Sequence, residues 1–312
     1  MHDNHIFANV IKMSEETVLF RGFTLPRIFE EKQEKLDNFS VRDEDVWICG
    51  IPKSGTRWTQ ELVWMLMHDL DFEGAKEDLS ERVILVESDR LEDSHKYQLE
   101  RFRDTLGLLL KKYKEGPIAV KTHLPWVMLP KQIQEFKKRP KIIYLVRNPK
   151  SLVCSLVHWK NLMHGKVEPV EGVADRFMDG TEVYHPYWQH VLQFWQHRHE
   201  PNIMILRYEE MVKDPPAMIK RVAEFLGKKL TAEQLTKLAD HVSVDSMKKN
   251  RAVNNEPMIE RRRAAFGLGK TNENHIRKGK ADSYKEEMLP ELIVKMDKWI
   301  EENTKDTEFN VL

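Results

Sequence analysis

Only two cysteines occur in this 312-residue chain, Cys49 in a strand-like apolar run and Cys154 in a helix-like one, and both have apolar neighbours. That scarcity excludes a disulfide scaffold and favours buried, reduced thiols. No apolar run reaches the length of a membrane span, and Met1 to Ser14 is polar and His-containing, without the apolar core of a signal peptide. The expectation is a cytoplasmic protein with no membrane partner. Charge of one sign is lacking too: 50 basic and 50 acidic side chains cancel, so no global field draws the chain to nucleic acid. Any anion site must be local. No His-Glu-x-x-His or Cys/His zinc spacing occurs, and His197 and His199, two apart, do not share a helical face, so no metal is expected.

What is present is a chain 41% hydrophobic and 32% charged, enough apolar material for a sizeable core. No composition break or internal repeat divides it, which predicts one domain across 1–312.

The most informative stretch is Val46 to Trp58, Val-Trp-Ile-Cys-Gly-Ile-Pro-Lys-Ser-Gly-Thr-Arg-Trp. An apolar strand ends at Gly50, a short turn follows, and a helical pattern with Trp58, Leu62, Met65 and Leu66 runs from about Thr56 to Asp69. Such a turn delivers backbone N–H groups to a helix N-terminus and cradles an anion. Gly50 and Gly55 keep the Walker A glycine spacing, but the lysine lies inside the loop at Lys53, and Thr56-Arg57 replace the Lys-Ser/Thr pair. The anion then need not be an ATP triphosphate.

Further strands are expected over Ile118 to Val120, Lys141 to Val146 and Asn202 to Leu206, ending near Lys121-Thr122-His123, Arg147-Asn148-Pro149 and Arg207-Tyr208. Helical patterns lie between them, carrying Leu152, Val153, Leu156 and Trp159, then Tyr187, Val191, Phe194 and Trp195. The alternation predicts an α/β fold, a central parallel β-sheet flanked by helices with a P-loop-like strand-loop-helix motif and a site at the carboxyl ends of the strands. Asp214-Pro215-Pro216 and Thr231 to Gln234 read as helix starts, the latter in capping-box spacing. Residues 20–38 read as a turn and a short amphipathic helix, 96–112 as a helix, and Lys285 to Asn303 as a closing helix. Residues 70–94, 165–181 and 250–282 are aperiodic and read as irregular, the second as a mobile loop.

Three features carry chemistry. Lys53 can neutralise an oxygen of a phosphoryl or sulfuryl group as charge develops on it. His123, at a strand end, is either a structural imidazole or a general base toward an acceptor hydroxyl. Arg147, Ser155 and the cluster at Arg277-Lys278-Gly279 suit a second anion, although each cation alone also reads as a surface charge.

Together, Pro52 to Trp58, Lys121-Thr122-His123, Tyr144 to Lys150 with Ser155, Tyr208 to Met211, and Arg277-Lys278-Gly279 resemble the ordered motif set of the cytosolic sulfotransferases, over roughly Phe20 to Trp299. The resemblance implies 3'-phosphoadenosine 5'-phosphosulfate as sulfuryl donor. It implies that Lys53, Ser54, Gly55, Thr56, Arg57 and Trp58 bind the 5'-phosphosulfate, and that Arg147, Ser155, Arg277, Lys278 and Gly279 hold the 3'-phosphate. Tyr208, Ser243 and Trp58 would border the adenine. His123 would be the catalytic base, with Lys53 and Lys121 stabilising charge at the transferring group. The implied acceptor is a small, mostly apolar hydroxyl compound, with Phe20, Phe23, Trp126, Val127, Trp159 and the loops around Gly165 to Tyr184 and Asn254 to Gly267 as its candidate walls.

The chain departs from the family pattern in four places. Arg57 stands where threonine is usual, and Val242-Ser243-Val244 lacks the usual threonine and phenylalanine. Lys280 to Lys285 replaces the Gly-Asp-Trp-Lys continuation, and the C-terminal Lys-Thr-Val-Glu dimer motif is not evident, leaving a homodimer open. A P-loop kinase and a non-catalytic binder of nucleotide or apolar ligand are the alternatives at this point. The missing Lys-Ser/Thr speaks against the first, and the presence of both Lys53 and His123 against the second.

Overall fold

The computed structural model describes residues 17–30, 32–87, 107, 111, 114, 116–165, 168–277 and 279–309. The helix expected over 96–112 lies almost wholly outside these residues, as does Lys278.

In chain order, a hairpin of β1 (Thr17–Phe20) and β2 (Phe23–Pro26) precedes α1 (Gln33–Asp37), β3 (Val46–Cys49) and α2 (Thr56–Met67). Next come α3 (Leu79–Arg82), β4 (Ile84–Leu85), β5 (Ala119–Thr122), α4 (Lys131–Gln134), β6 (Lys141–Val146), α5 (Pro149–His164), α6 (Val170–Met178) and α7 (Tyr187–Trp195). The chain closes with β7 (Ile203–Arg207), α8 (Tyr208–Lys213), α9 (Pro215–Phe225), α10 (Ala232–His241), α11 (Val244–Lys249), α12 (Glu256–Ala265), α13 (Tyr284–Glu287) and α14 (Pro290–Thr304).

Strands β3 to β7 form one parallel five-stranded sheet in the order β4-β5-β3-β6-β7. Every residue of β3 is buried, as expected of a central parallel strand covered on both faces. Alternate side chains serve opposite cores: Trp47 and Cys49 pack with Tyr144, Leu152 and Phe194, while Val46 and Ile48 pack with Leu62, Met65, Leu145 and Val222. Both cysteines are buried free thiols. Because β3 lies between β5 and β6, the loop after it opens at the middle of the sheet's carboxyl edge, beside Thr122 and Val146.

Local chemistry sets the helix ends. Asn148 caps α5 by accepting from the Lys150 N–H, with Pro149 in the first turn. Asp214 does the same for α9, and Thr231 with Gln234 forms the expected capping box of α10.

Four expectations need correction. Residues 165–181 contain α6, whose Val173, Ala174 and Phe177 are buried; at nine residues, with Gly172 inside, its apolar stripe is too short to show as periodicity. Residues 250–282 contain α12, where three arginines outweigh Met258 and Ile259 and erase the amphipathic signal. Residues 20–38 begin with a β-hairpin strand pair, and 70–94 contain α3 and β4, elements of four and two residues that no window resolves.

Candidate active site

The loop between β3 and α2 is held by its own backbone. Ser54 donates from both N–H and Oγ to the Ile51 carbonyl, at 3.2 and 2.7 Å. Its hydroxyl is therefore used inside the loop and does not line the cavity described below. Lys53 adopts φ 74°, a left-handed conformation unusual for a side-chain-bearing residue. Gly55 has φ 106°, and a Cβ there would come within 2.9 Å of Tyr208 Cδ2. This close approach seats Tyr208 directly against the loop.

His123 follows β5. Its Nδ1 contacts the Gly50 carbonyl oxygen, which can only accept, so the Nδ1 carries the proton and the lone pair is on Nε2. Its backbone is clamped on both sides: the carbonyl accepts from His190 Nε2 at 3.0 Å, and the N–H donates to Glu87. Glu87 also accepts from Thr122 Oγ1 at 2.9 Å, and Tyr144 donates to His190 Nδ1 at 2.9 Å. Burial, then the nearby Lys121, hold the His123 imidazole well below its ordinary proton affinity. The ring is neutral at physiological pH, as a general base requires.

Five cations converge opposite this imidazole. Burial first, then Arg147, Lys121, Arg277 and Arg57, push Lys53 well below the ordinary lysine value. Lys121 falls to about 8 through burial and Arg57, while burial raises Glu87, its buried carboxylate neighbour, to about 7. Arg57 itself donates to the Val253 carbonyl, which ties the start of α2 to the chain beyond α11. The Arg147 guanidinium lies over Tyr208 and donates to the Lys53 carbonyl, and among the described residues its buried Nε has no hydrogen-bond partner. Arg277 donates to the Cys154 carbonyl at 3.2 Å and engages Glu287 through both Nη atoms.

The residues expected to border an adenine are likewise anchored. Trp58 packs against the core cluster that holds Leu62, Met65 and Leu66, as expected, and its indole N–H donates to the Val242 carbonyl at 2.8 Å. Ser243 caps α11 by accepting from the Ser246 N–H, and Gly279 backs onto Val244.

One cavity of about 1670 Å³ unites Lys53, Gly55, Thr56, Arg57, Trp58, Lys121, His123, Arg147, Ser155, Tyr208, Ser243, Arg277 and Gly279. Of the expected apolar walls, Trp159 lines it, together with Ile51, Leu156, Tyr184 and Met258. Phe20, Phe23, Trp126 and Val127 do not. Phe23 is fully buried, and Trp126 packs edge-on against Phe194 and at a tilt against Phe136 and His197, so these rings build core. Motif spacing missed Glu87, His190 and His275, which hold the site through contacts between distant segments. Among the described residues no group of three His, Cys, Asp or Glu is placed to hold a metal, and no helix is long and apolar enough to cross a membrane.

The Sulfotransferase domain family matches residues 43–308. The chain belongs to the sulfotransferase family. It is 37% identical over 287 residues to the luciferin sulfotransferase of Photinus pyralis, covering 89% of this chain and 76% of that one. It is 29% identical over 303 residues to the amine sulfotransferase of Oryctolagus cuniculus, covering 92% and 90% of the two chains. Among solved structures, a retinol dehydratase in complex with androsterone and the inactive cofactor PAP superposes with a TM-score of 0.79 at 31% identity, covering 97% of this chain and 95% of that one. Sulfuryl transfer from 3'-phosphoadenosine 5'-phosphosulfate, the activity the motifs imply, is therefore the reaction of this sulfotransferase, and the kinase alternative falls away.

Proposed function

We propose that this single-domain, cytoplasmic sulfotransferase sulfates the hydroxyl of a small, mostly apolar acceptor, with His123 as general base. The observation that carries this reading is the His123 Nδ1–H on the Gly50 carbonyl: it leaves Nε2 as proton acceptor on a cavity-lining ring, tied directly to the anion loop. The residues fit the donor. An N–H-rich loop, five cations and a buried guanidinium nitrogen without a partner among the described residues suit a molecule anionic at two ends.

Lys53, Ser54, Gly55, Thr56, Arg57 and Trp58 form the phosphosulfate side, with Ser54 acting by shaping the loop. Arg147, Ser155, Arg277 and Gly279 form the 3'-phosphate side, to which Lys278 is assigned by its motif. When bound, 3'-phosphoadenosine 5'-phosphosulfate supplies the sulfuryl group. His123 Nε2 takes the proton of the acceptor hydroxyl as that oxygen attacks. Lys53 offsets the negative charge on the 5'-phosphate oxygen as its bond to sulfur breaks and the 3',5'-bisphosphate leaves, and Lys121 offsets charge on the transferring group.

Ile51, Leu156, Trp159, Tyr184 and Met258 supply apolar walls suited to a ring or polyene alcohol. Androsterone and retinol, named for the solved relatives, are such compounds. Transfer of radiolabelled sulfur to a panel of phenols, sterols and polyene alcohols, with products identified by mass, tests the proposal. Labelled or dehydrated product with apolar alcohols is expected; a folded protein inactive on the whole panel would sink the acceptor assignment.

A further inference from the structure

His275 stands on the connection between α12 and α13 and belongs to none of the motifs, yet its Nε2 lies 3.3 Å from Lys53 Nζ. The backbone that carries it is tethered on both sides. The Asn274 carbonyl accepts from His158 Nε2 at 3.1 Å, Asn274 Nδ2 donates to the Lys248 carbonyl at 3.2 Å, and Ile276 packs into the core beneath. The ring is thus brought to the lysine by fixed chain, not by a loose side chain reaching across.

The pairing determines the tautomer. A lysine ammonium only donates, so Nε2 accepts and the ring proton sits on Nδ1. That Nδ1 is buried and has no hydrogen-bond partner among the described residues. A buried, unpaired donor is costly, so a partner is expected for it. Lys53 is in contact with the ring, and Arg57 from α2, Lys121 from β5 and His158 from α5 act on it electrostatically. Burial first and then these neighbours hold His275 well below the usual imidazole range, so it is neutral in this setting. With the cations Lys53, Arg57 and Lys121 acting on the ring, an anion is the fitting partner for that N–H.

We propose that His275 is an additional residue of the donor site: its Nε2 positions the Lys53 ammonium, and its Nδ1–H binds an anionic oxygen of phosphate or sulfate class. The inference rests on reading the loop at Lys53 as the phosphosulfate site. An anion at that position offsets the surrounding cations, so His275 gains proton affinity when the nucleotide binds.

Calorimetric titration with 3'-phosphoadenosine 5'-phosphate, near pH 7 in two buffers of different ionisation enthalpy, reads both affinity and proton uptake. Wild type is compared with His275→Phe and His275→Gln, each checked by thermal melting. Glutamine keeps an acceptor for Lys53 and an N–H for the anion but does not titrate. It is expected to bind within about threefold of wild type with smaller proton uptake, while phenylalanine weakens binding by about tenfold or more, the worth of a charge-assisted hydrogen bond. Wild-type affinity and wild-type uptake in the phenylalanine variant would overturn the proposal. If that variant does not fold, wild-type uptake in the glutamine variant overturns it equally. Failure of the wild type to bind the nucleotide would overturn the loop assignment, and the inference with it.

Discussion

The guanidinium of Arg147 lies 4.0 Å above the ring centroid of Tyr208, and its Nη1 donates to the Lys53 carbonyl at 2.9 Å. One planar group is thereby fixed by a face and by an edge. Lysine could supply the charge but neither the stack nor the fork of donors. The Arg147→Lys variant should raise the KM for the sulfuryl donor about tenfold, the equivalent of one lost charge-assisted contact, while acceptor KM stays near wild type. Steady-state kinetics with each substrate varied in turn would show it; an unchanged donor KM would remove Arg147 from the donor site.

His123→Ala should lower kcat by roughly a hundredfold to ten-thousandfold, the usual contribution of a positioned base, with little change in the Kd for 3'-phosphoadenosine 5'-phosphate. The pH profile gives a second check. A base works when deprotonated, and the His123 proton affinity is depressed by burial and Lys121. Activity should therefore persist as pH falls past the ordinary histidine value of about 6.5, with its acid limb displaced below that point. An acid limb centred above 6.5 would contradict the neutral, buried imidazole.

Stability should fall in acid for a related reason. His185 and His190 are fully buried, and burial pushes each down to about 4. A folded-state value below the unfolded one gives stability that is complete above about pH 6.5 and is lost as pH falls toward 4, by on the order of a few kcal/mol for the pair. Melting temperatures measured from pH 7 to pH 4 should drop accordingly. In His185→Asn the drop should be shallower, because a non-titrating side chain removes one of the two protons taken up on unfolding. Parallel curves for wild type and variant would rule His185 out as a contributor.

Gly55→Ala tests the loop from its tightest point. The substitution places a methyl 2.9 Å from Tyr208 Cδ2 and forces a side-chain-bearing residue to φ 106°. Strain of about 1–3 kcal/mol and a displaced Tyr208 should weaken nucleotide binding about tenfold or more, as read by calorimetry. Wild-type affinity would mean that the loop does not depend on this approach.

The parallel sheet and the anion loop were legible because their signals are local: β3 is a continuous apolar run, and the Gly50-to-Thr56 turn opens a patterned helix. The same holds for Thr231 and Gln234, whose spacing alone announces the capping box. What stayed hidden depends on distant contacts. Glu87 sits in an acidic, aperiodic stretch, and nothing in its neighbours shows that its carboxylate holds the backbone of His123. Phe23 and Trp126 carried the opposite error: their size and aromaticity suited a ligand wall equally well, and only the packing shows that they fill core. Arg57 Nε donates to the Val253 carbonyl, nearly two hundred residues away in sequence, a tie that nothing in its own stretch announces.

Gly50 is bonded at both ends to the strand terminus that carries His123: its N–H donates to the Thr122 carbonyl at 3.2 Å, and its own carbonyl accepts from the His123 ring. His123 and the loop after β3 are thus riveted to one plate, while Trp159 and Met258 line the cavity from α5 and α12. Those helical walls can change their taste for acceptors by substitution, and the geometry held by Gly50 has no reason to follow.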